Sequence, residues 1–264
     1  MLMEVKNQIK VMVLSVKYNI MKQMTNKVTF ITNIVFMILN NASFIVQWII
    51  LFNLKNEIGG YTIREVVLLW GIAASTYGIA HIVFCKAFDI PELIINGKLD
   101  TFLVQPKNVF LGVLTSDTKI SAIGDLIYGY ICLAIYGITI KNFILFTIFS
   151  ITGAIIITAF SSIVGSLAFW IVKADILADA LANIIINFAT YPGTIFKNGI
   201  KLILYTIIPV GISSYMPVDT ILNFNLENFF IIFGFTIAIT ILAFIVFYKG
   251  LKSYSSSNLM SSRI

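Results

Sequence analysis

Long apolar runs separated by short polar interruptions dominate this chain. Six of them are long enough to cross a bilayer, which takes about 20 residues. They lie near residues 28–52, 66–86, 120–140, 143–172, 176–196 and 228–248. A further apolar stretch, 199–216, is followed closely by Pro217 and broken internally by Pro209. Ahead of the first run, residues 4–27 repeat Ile9, Val13, Val16, Ile20 and Met24 at helical spacing, with Lys6, Lys10 and Lys17 on another face. That pattern predicts a basic amphipathic helix lying in the membrane interface.

One interruption is more than a connector. Between the second and third runs, Phe88 to Lys107 is polar enough for a surface loop but patterned for short helices. Asp89 and Glu92 have capping-box spacing, Pro91 suits a first turn, and Gly97 suits a helix stop. Ile90, Leu93 and Ile94 then share a face. Asp100 predicts the cap of a second turn carrying Phe102 and Leu103, ended by Pro106. The residues alone leave two readings open: a helix that docks a partner outside the membrane, or one that lies against the headgroups. The other well-built loop is Ile58-Gly-Gly-Tyr-Thr-Ile-Arg-Glu65. There Gly59-Gly60 predicts a turn, and Thr62 with Glu65 a capping box opening the second span.

Composition agrees with the pattern. The chain has 264 residues, 59% hydrophobic and 11% charged, with a mean hydropathy of +0.96. A soluble domain carries roughly 25% charged residues, and the ~10-residue alternating strands of a membrane barrel are absent. An all-α integral membrane protein is expected. No cleavable leader is evident, because the first run begins near Val28 with no small-residue cleavage site after it. The net charge of +6 reflects Lys and Arg in loops and tails, which sets topology and does not indicate nucleic acid. With six spans and the N-terminus inside, thirteen Lys and Arg lie inside and five outside. A seventh span would place the basic C-terminus outside, so 199–216 is expected to be re-entrant on the outer side, where non-helical backbone needs protein or water to cover it. The domain plan is an interfacial helix at 1–27, a membrane domain at 28–252 with special segments 88–106 and 199–216, and an inner tail at 253–264.

Candidate chemistry is sparse. Asn26, Asn33, Asn40 and Gln47 fall seven residues apart on the first span, close to one helical stripe. Amides are disfavoured in lipid, so the stripe should face protein or a wet cavity. Inter-helix hydrogen bonding and a substrate path are both open for it. Ala154, Thr158, Ser162 and Ser166 recur every four positions on the fourth span and predict close helix packing. His81 and Asp125 are ionisable groups near the inner ends of the second and third spans and are read as structural pairs. Cys85 and Cys132 have no metal spacing and read as apolar packers. A single histidine rules out two-histidine metal sites, and neither GxSxG nor a GxxxxGK[ST] phosphate loop occurs. The chain is expected to be non-catalytic and to hold no metal.

The order of these elements resembles the permease subunit of ATP-binding-cassette type 2 transporters, closest to the small bacterial multidrug (daunorubicin-resistance-like) exporter group. The stretches carrying it are Ile58-Gly-Gly-Tyr-Thr-Ile-Arg-Glu65, Gly97-Lys-Leu-Asp-Thr-Phe-Leu-Val-Gln-Pro106, Ile123-Gly-Asp-Leu126, Tyr191-Pro-Gly-Thr-Ile-Phe196, Ile208-Pro209, Ser214-Tyr-Met-Pro217 and Lys249-Gly-Leu-Lys-Ser-Tyr-Ser255. The family usually has Arg-Pro where this chain has Gln105-Pro106, and a second proline where it has Lys197.

The resemblance implies an exporter of an amphipathic drug, lipid or peptide, in the bacterial plasma membrane, with both termini cytoplasmic. It implies two copies of a separate cytoplasmic ATPase, which would bind ATP and Mg, and a second permease of the same or a sister chain. Segment 89–103 would be the coupling helix, with Ile90, Leu93, Ile94, Leu99, Phe102 and Leu103 as docking face and Glu92 and Asp100 as its polar rim. Substrate would pass along spans one, two and five, where Asn33, Asn40, Gln47 and Tyr77 are the candidate lining. Two other classes fit the composition: an ion-coupled transporter or channel, for which Asp125 is the one buried-charge candidate, and a membrane scaffold or immunity protein that binds a partner without transport.

Overall fold

The computed structural model describes residues 2–171 and 173–255. Of the expected tail 253–264, residues 256–264 lie outside the described residues, as do Met1 and Val172, the last residue of the expected fourth span. In chain order the helices are α1 (Leu2–Gln23), α2 (Lys27–Leu54), α3 (Ile63–Val83), α4 (Ile90–Ile95), α5 (Asp100–Leu103), α6 (Val109–Leu114), α7 (Ser121–Tyr136), α8 (Ile140–Ser166), α9 (Ala174–Ala189), α10 (Asn198–Thr206), α11 (Met216–Leu222) and α12 (Leu226–Leu251). Short 3₁₀ turns at Cys85–Ala87, Leu167–Phe169 and Gly193–Ile195, and a π-helical turn at Gly211–Tyr215 running into α11, complete the helical content. Among the described residues there is no strand, only an isolated bridge between Ile58 and Tyr61.

α3 and α8 organise the bundle. In their most apolar windows 72% and 67% of residues are buried, against 6% in α2 and 22% in α12. α7 packs along α3, α12 along α8, and α2 covers α7. The α3–α7 contact is close because glycines line it. A Cβ on Gly78 would stand 2.8 Å from the Leu126 backbone nitrogen, and one on Gly71 3.0 Å from the Gly129 carbonyl. Gly124 likewise meets the Ile34 carbonyl of α2. With little hydrophobic drive between helices in lipid, such close approach is a main source of cohesion. The small-residue stripe of α8 is buried as expected, but its two serine hydroxyls bond within their own helix: Ser162 donates to the Thr158 carbonyl at 2.7 Å and Ser166 to that of Ser162 at 2.6 Å.

Among the described residues, four helices are long and apolar enough to span a membrane: α2, α3, α8 with its 3₁₀ extension, and α12. The expected spans 120–140 and 176–196 are shorter here, as the 16-residue helices α7 and α9. Sixteen residues rise about 24 Å, less than the roughly 30 Å hydrocarbon core. Gly137, with φ +137°, stops α7. The 199–216 segment is not one straight helix: α10 and the Gly211–Leu222 unit meet at 82° around Pro209, and this pair counts as a fifth span or as a re-entrant loop.

Several local predictions hold. Glu65 accepts from the Thr62 backbone N–H at 2.7 Å, forming the expected capping box. Gly59 and Gly60 adopt φ +61° and +78°, the left-handed turn that a side chain would strain. α1 is anchored by its amides, with Asn19 donating to the Thr115 carbonyl at 3.2 Å and Gln23 to that of Thr118 at 2.6 Å. Ile9, Val13 and Met24 of that helix are exposed. Others do not hold. Asn26 does not join the amide stripe; it caps α2, accepting from the Thr29 N–H at 3.2 Å. Asp89 makes no capping bond, because its carboxylate pairs with Lys86 at 2.8 Å. Asp100 opens α5 as its first residue, with Leu99 in the cap position.

Candidate functional site

Two regions combine polar groups with special geometry: the 84–120 end of the bundle, and a cavity between α2, α3 and α9.

At the first, the interruption folds as two short helices seated on the membrane helices. Ile90, Leu93, Ile94 and Leu99 are buried. α4 packs on α8, on the 3₁₀ turn that follows it and on α9. Gly165 makes this possible: a Cβ there would stand 3.1 Å from both Ile90 and Pro91. These four apolar residues therefore do not form an exposed docking face. They anchor the segment, since an apolar stripe beside a membrane bundle buries most area against it. The outward edge carries Glu92, Ile95, Asn96, Lys98, Thr101, Leu103 and Val104, while Phe102 is half-buried. Lys98 donates to Glu92 at 2.9 Å and holds its carboxyl below the usual carboxylate range.

The same end contains a helix that periodicity does not reveal. α6 is two turns long, capped by Asn108, whose side chain accepts from the Leu111 N–H at 3.0 Å. Phe110 packs on Phe244 and Phe247 of α12, with ring centroids 4.7 and 4.8 Å apart. The signal was present as Asn108 before an apolar run, but at six residues it is too short for a period. Lys86 bridges Asp89 and Asp117 at 2.8 and 3.5 Å, and Thr118 donates to the Ile82 carbonyl at 2.9 Å. The stretch from 84 to 120 is thus tied together and to the end of α3.

The second region is a cavity of about 490 Å³. α2 supplies Asn40, Asn41, Phe44, Gln47 and Trp48; α3 supplies Trp70 and Tyr77; α7 supplies Asp125; α9 and its C-terminal turn supply Ile185 to Asn187 and Ala189 to Tyr191; and the π turn supplies Ser213 and Ser214. Asn40 and Gln47 of α2 and Tyr77 of α3 thus meet in one space, which α9 also walls. Asn33 does not. It lies in a separate recess of about 340 Å³ with Gln23, Cys85 and Asp117 to Ser121. Asp125 also faces the main cavity, where its Oδ1 accepts from Asn41 Nδ2 at 2.6 Å and ties α7 to α2. Asn41 stands one residue off the seven-residue stripe, so the spacing argument passed over it. Phe44 and Trp70 stack at 5.6 Å, and Trp48 meets Tyr191 edge-on at 5.5 Å.

His81 lies below this cavity and is buried. Its ring stacks on Tyr77 at 3.8 Å and on Phe88 at 4.1 Å. An aromatic column therefore runs from the cavity wall to Phe88, two residues before α4. At the opposite end the 58–61 turn is latched to its neighbours. Tyr61 donates to Asp219 at 2.9 Å, and burial together with that carboxylate raises the phenol's pKa. Thr194 donates to the Gly59 carbonyl.

A family model described as ABC-2 family transporter protein matches residues 14–258. No curated protein and no solved structure matches the chain. The matched range takes in every helix from the middle of α1 to the end of α12, including the seated α4–α5 segment and the cavity. The chain belongs to the ABC-2 transporter family and is an ABC-2 type permease.

Proposed function

We propose that this permease is the transmembrane subunit of an ATP-driven exporter of the small bacterial multidrug group, and that its substrate passes through the cavity between α2, α3 and α9. ATP and Mg bind to a separate cytoplasmic ATPase, present in two copies, and the permease pairs with a second copy or a sister chain. In this reading α7 and α9 count as spans, giving six, α10–α11 is the outer re-entrant unit, and both termini lie in the cytoplasm.

The observation that carries the proposal is the seating of α4. Its buried face rests on α8 and α9, and α9 walls the cavity. A partner pushing on α4 moves α9, and the Phe88–His81–Tyr77 column offers a second route to the same wall. Rigid packing supports such transmission because packed elements shift as units and do not deform continuously. The ATPase contact is assigned to the exposed edge, centred on Ile95, Lys98, Leu103 and Val104, with Glu92 as the acidic rim residue.

Affinity purification of the tagged chain, co-produced with the ATPase from its genomic neighbourhood, tests this. The ATPase should co-purify with the wild type and be lost with Ile95→Asp, while the melting temperature of the permease stays within about 2 °C, as befits an exposed position. Full ATPase retention by Ile95→Asp combined with Lys98→Glu would overturn the docking assignment.

A further inference from the structure

We propose that the cavity binds amphipathic organic cations, with Asp125 taking the positive charge and the two aromatic pairs taking the apolar body. This rests on the reading of the cavity as the substrate site and adds the ligand's chemistry to it.

Asp125 is the one carboxylate in the cavity wall, and it is 5% exposed. Its single hydrogen-bond partner is the neutral Asn41 amide, and among the described residues it forms no ion pair. A buried carboxylate with no ion-pair partner is costly, and a cationic ligand would be that partner. Lys119 lines the same cavity and its charge acts on Asp125, but it is an exposed residue that water screens, and among the described residues it makes no ion pair with the carboxylate. Asp125 is far less exposed to that screening.

The rings are placed to follow that charge. Asn41, which marks the carboxylate's level on α2, precedes Phe44 by about 5 Å and Trp48 by about 10 Å along the axis. Phe44 with Trp70, and Trp48 with Tyr191, therefore lie at successive levels beyond Asp125. Aromatic faces attract cations as well as apolar surface. A ligand with a charged head and an extended or ring-bearing body fits this order, with Asn40 and Gln47 as uncharged polar contacts between.

The probes are tetraphenylphosphonium and tetraphenylborate, nearly equal in size and apolar surface and opposite in charge. Two of the three tryptophans, Trp48 and Trp70, line the cavity, while Trp170 lies outside its wall. Quenching of intrinsic fluorescence in a Trp170→Phe background, in lipid nanodiscs with empty discs subtracted, reads binding directly. The phosphonium should bind at least about tenfold more tightly than the borate, the size of effect that a desolvated charge pair gives. Asp125→Asn should abolish that preference by weakening phosphonium binding, and Asp125→Glu should keep it. Equal binding of the two ions by the wild type overturns the proposal, as does an Asp125→Asn protein of normal melting temperature with unchanged phosphonium affinity. If Asp125→Asn fails to fold, the wild-type contrast decides alone. No ATP or partner is present in this assay. Its failure therefore leaves the ATP-driven exporter reading standing, and a chain that binds the phosphonium but retains no ATPase sinks that reading instead.

Discussion

Single residues divide sharply into those that hold the fold and those that face outward. Leu93 and Ile95 are two positions apart on α4, one buried and one exposed. Leu93→Asp places an unpaired charge against α8 and α9, at a cost of several kcal/mol. It should lower the melting temperature steeply or abolish a monodisperse product, as read by scanning fluorimetry and size exclusion. Gly78→Ala tests the α3–α7 contact: the new methyl meets backbone, which cannot turn aside, so a loss of about 1–3 kcal/mol is expected in denaturant titration. Glu92 offers a pH test. Its carboxyl is lowered by the hydrogen bond from Lys98, so the pairing stabilises the fold above the ordinary carboxylate pKa and fades as pH falls through the lowered value. Both groups are exposed, so Glu92→Gln should change the melting temperature by about 1 °C or less at pH 7, and the difference should vanish under strong acid.

Elements explain why some of this was legible in the sequence and some was not. The capping box at Thr62 and the glycine turn before it are local, and local chemistry reads directly. α4 was also foreseeable, because Pro91 sits in its first turn and Gly97 follows its end. Which of its faces turns inward was not. An amphipathic helix outside a membrane has two places to put its apolar side, the bundle or a partner, and only tertiary contact with Gly165 decides between them. The short α6 and the glycine seam of α3 and α7 share a limitation: neither has a period of its own, and each matters only through the helix opposite. The amide stripe was half right. Asn40 and Gln47 line the cavity, while Asn26 became a cap and Asn33 fell into another recess, because the ends of α2 lie against different neighbours than its middle.

At the scale of the whole molecule, hydrophobic runs foretold an all-helical membrane protein and mixed two kinds of helix among its spans. α7 and α9 are apolar but stop at 16 residues, because Gly137 ends one and the Tyr191-Pro-Gly turn follows the other. These elements also border the cavity, so the shorter helices belong to the region that the proposal requires to move. Under the proposed function the chain is a passive path driven from outside by ATP, with force entering at α4 and reaching the cavity through α9. Transport into inside-out vesicles, from cells carrying the chain with its genomic neighbours, measures that claim most directly. Uptake of tetraphenylphosphonium should require ATP, persist when an uncoupler collapses the proton gradient, and disappear with Ile95→Asp. Uptake that proceeds without ATP and collapses with the gradient would contradict it.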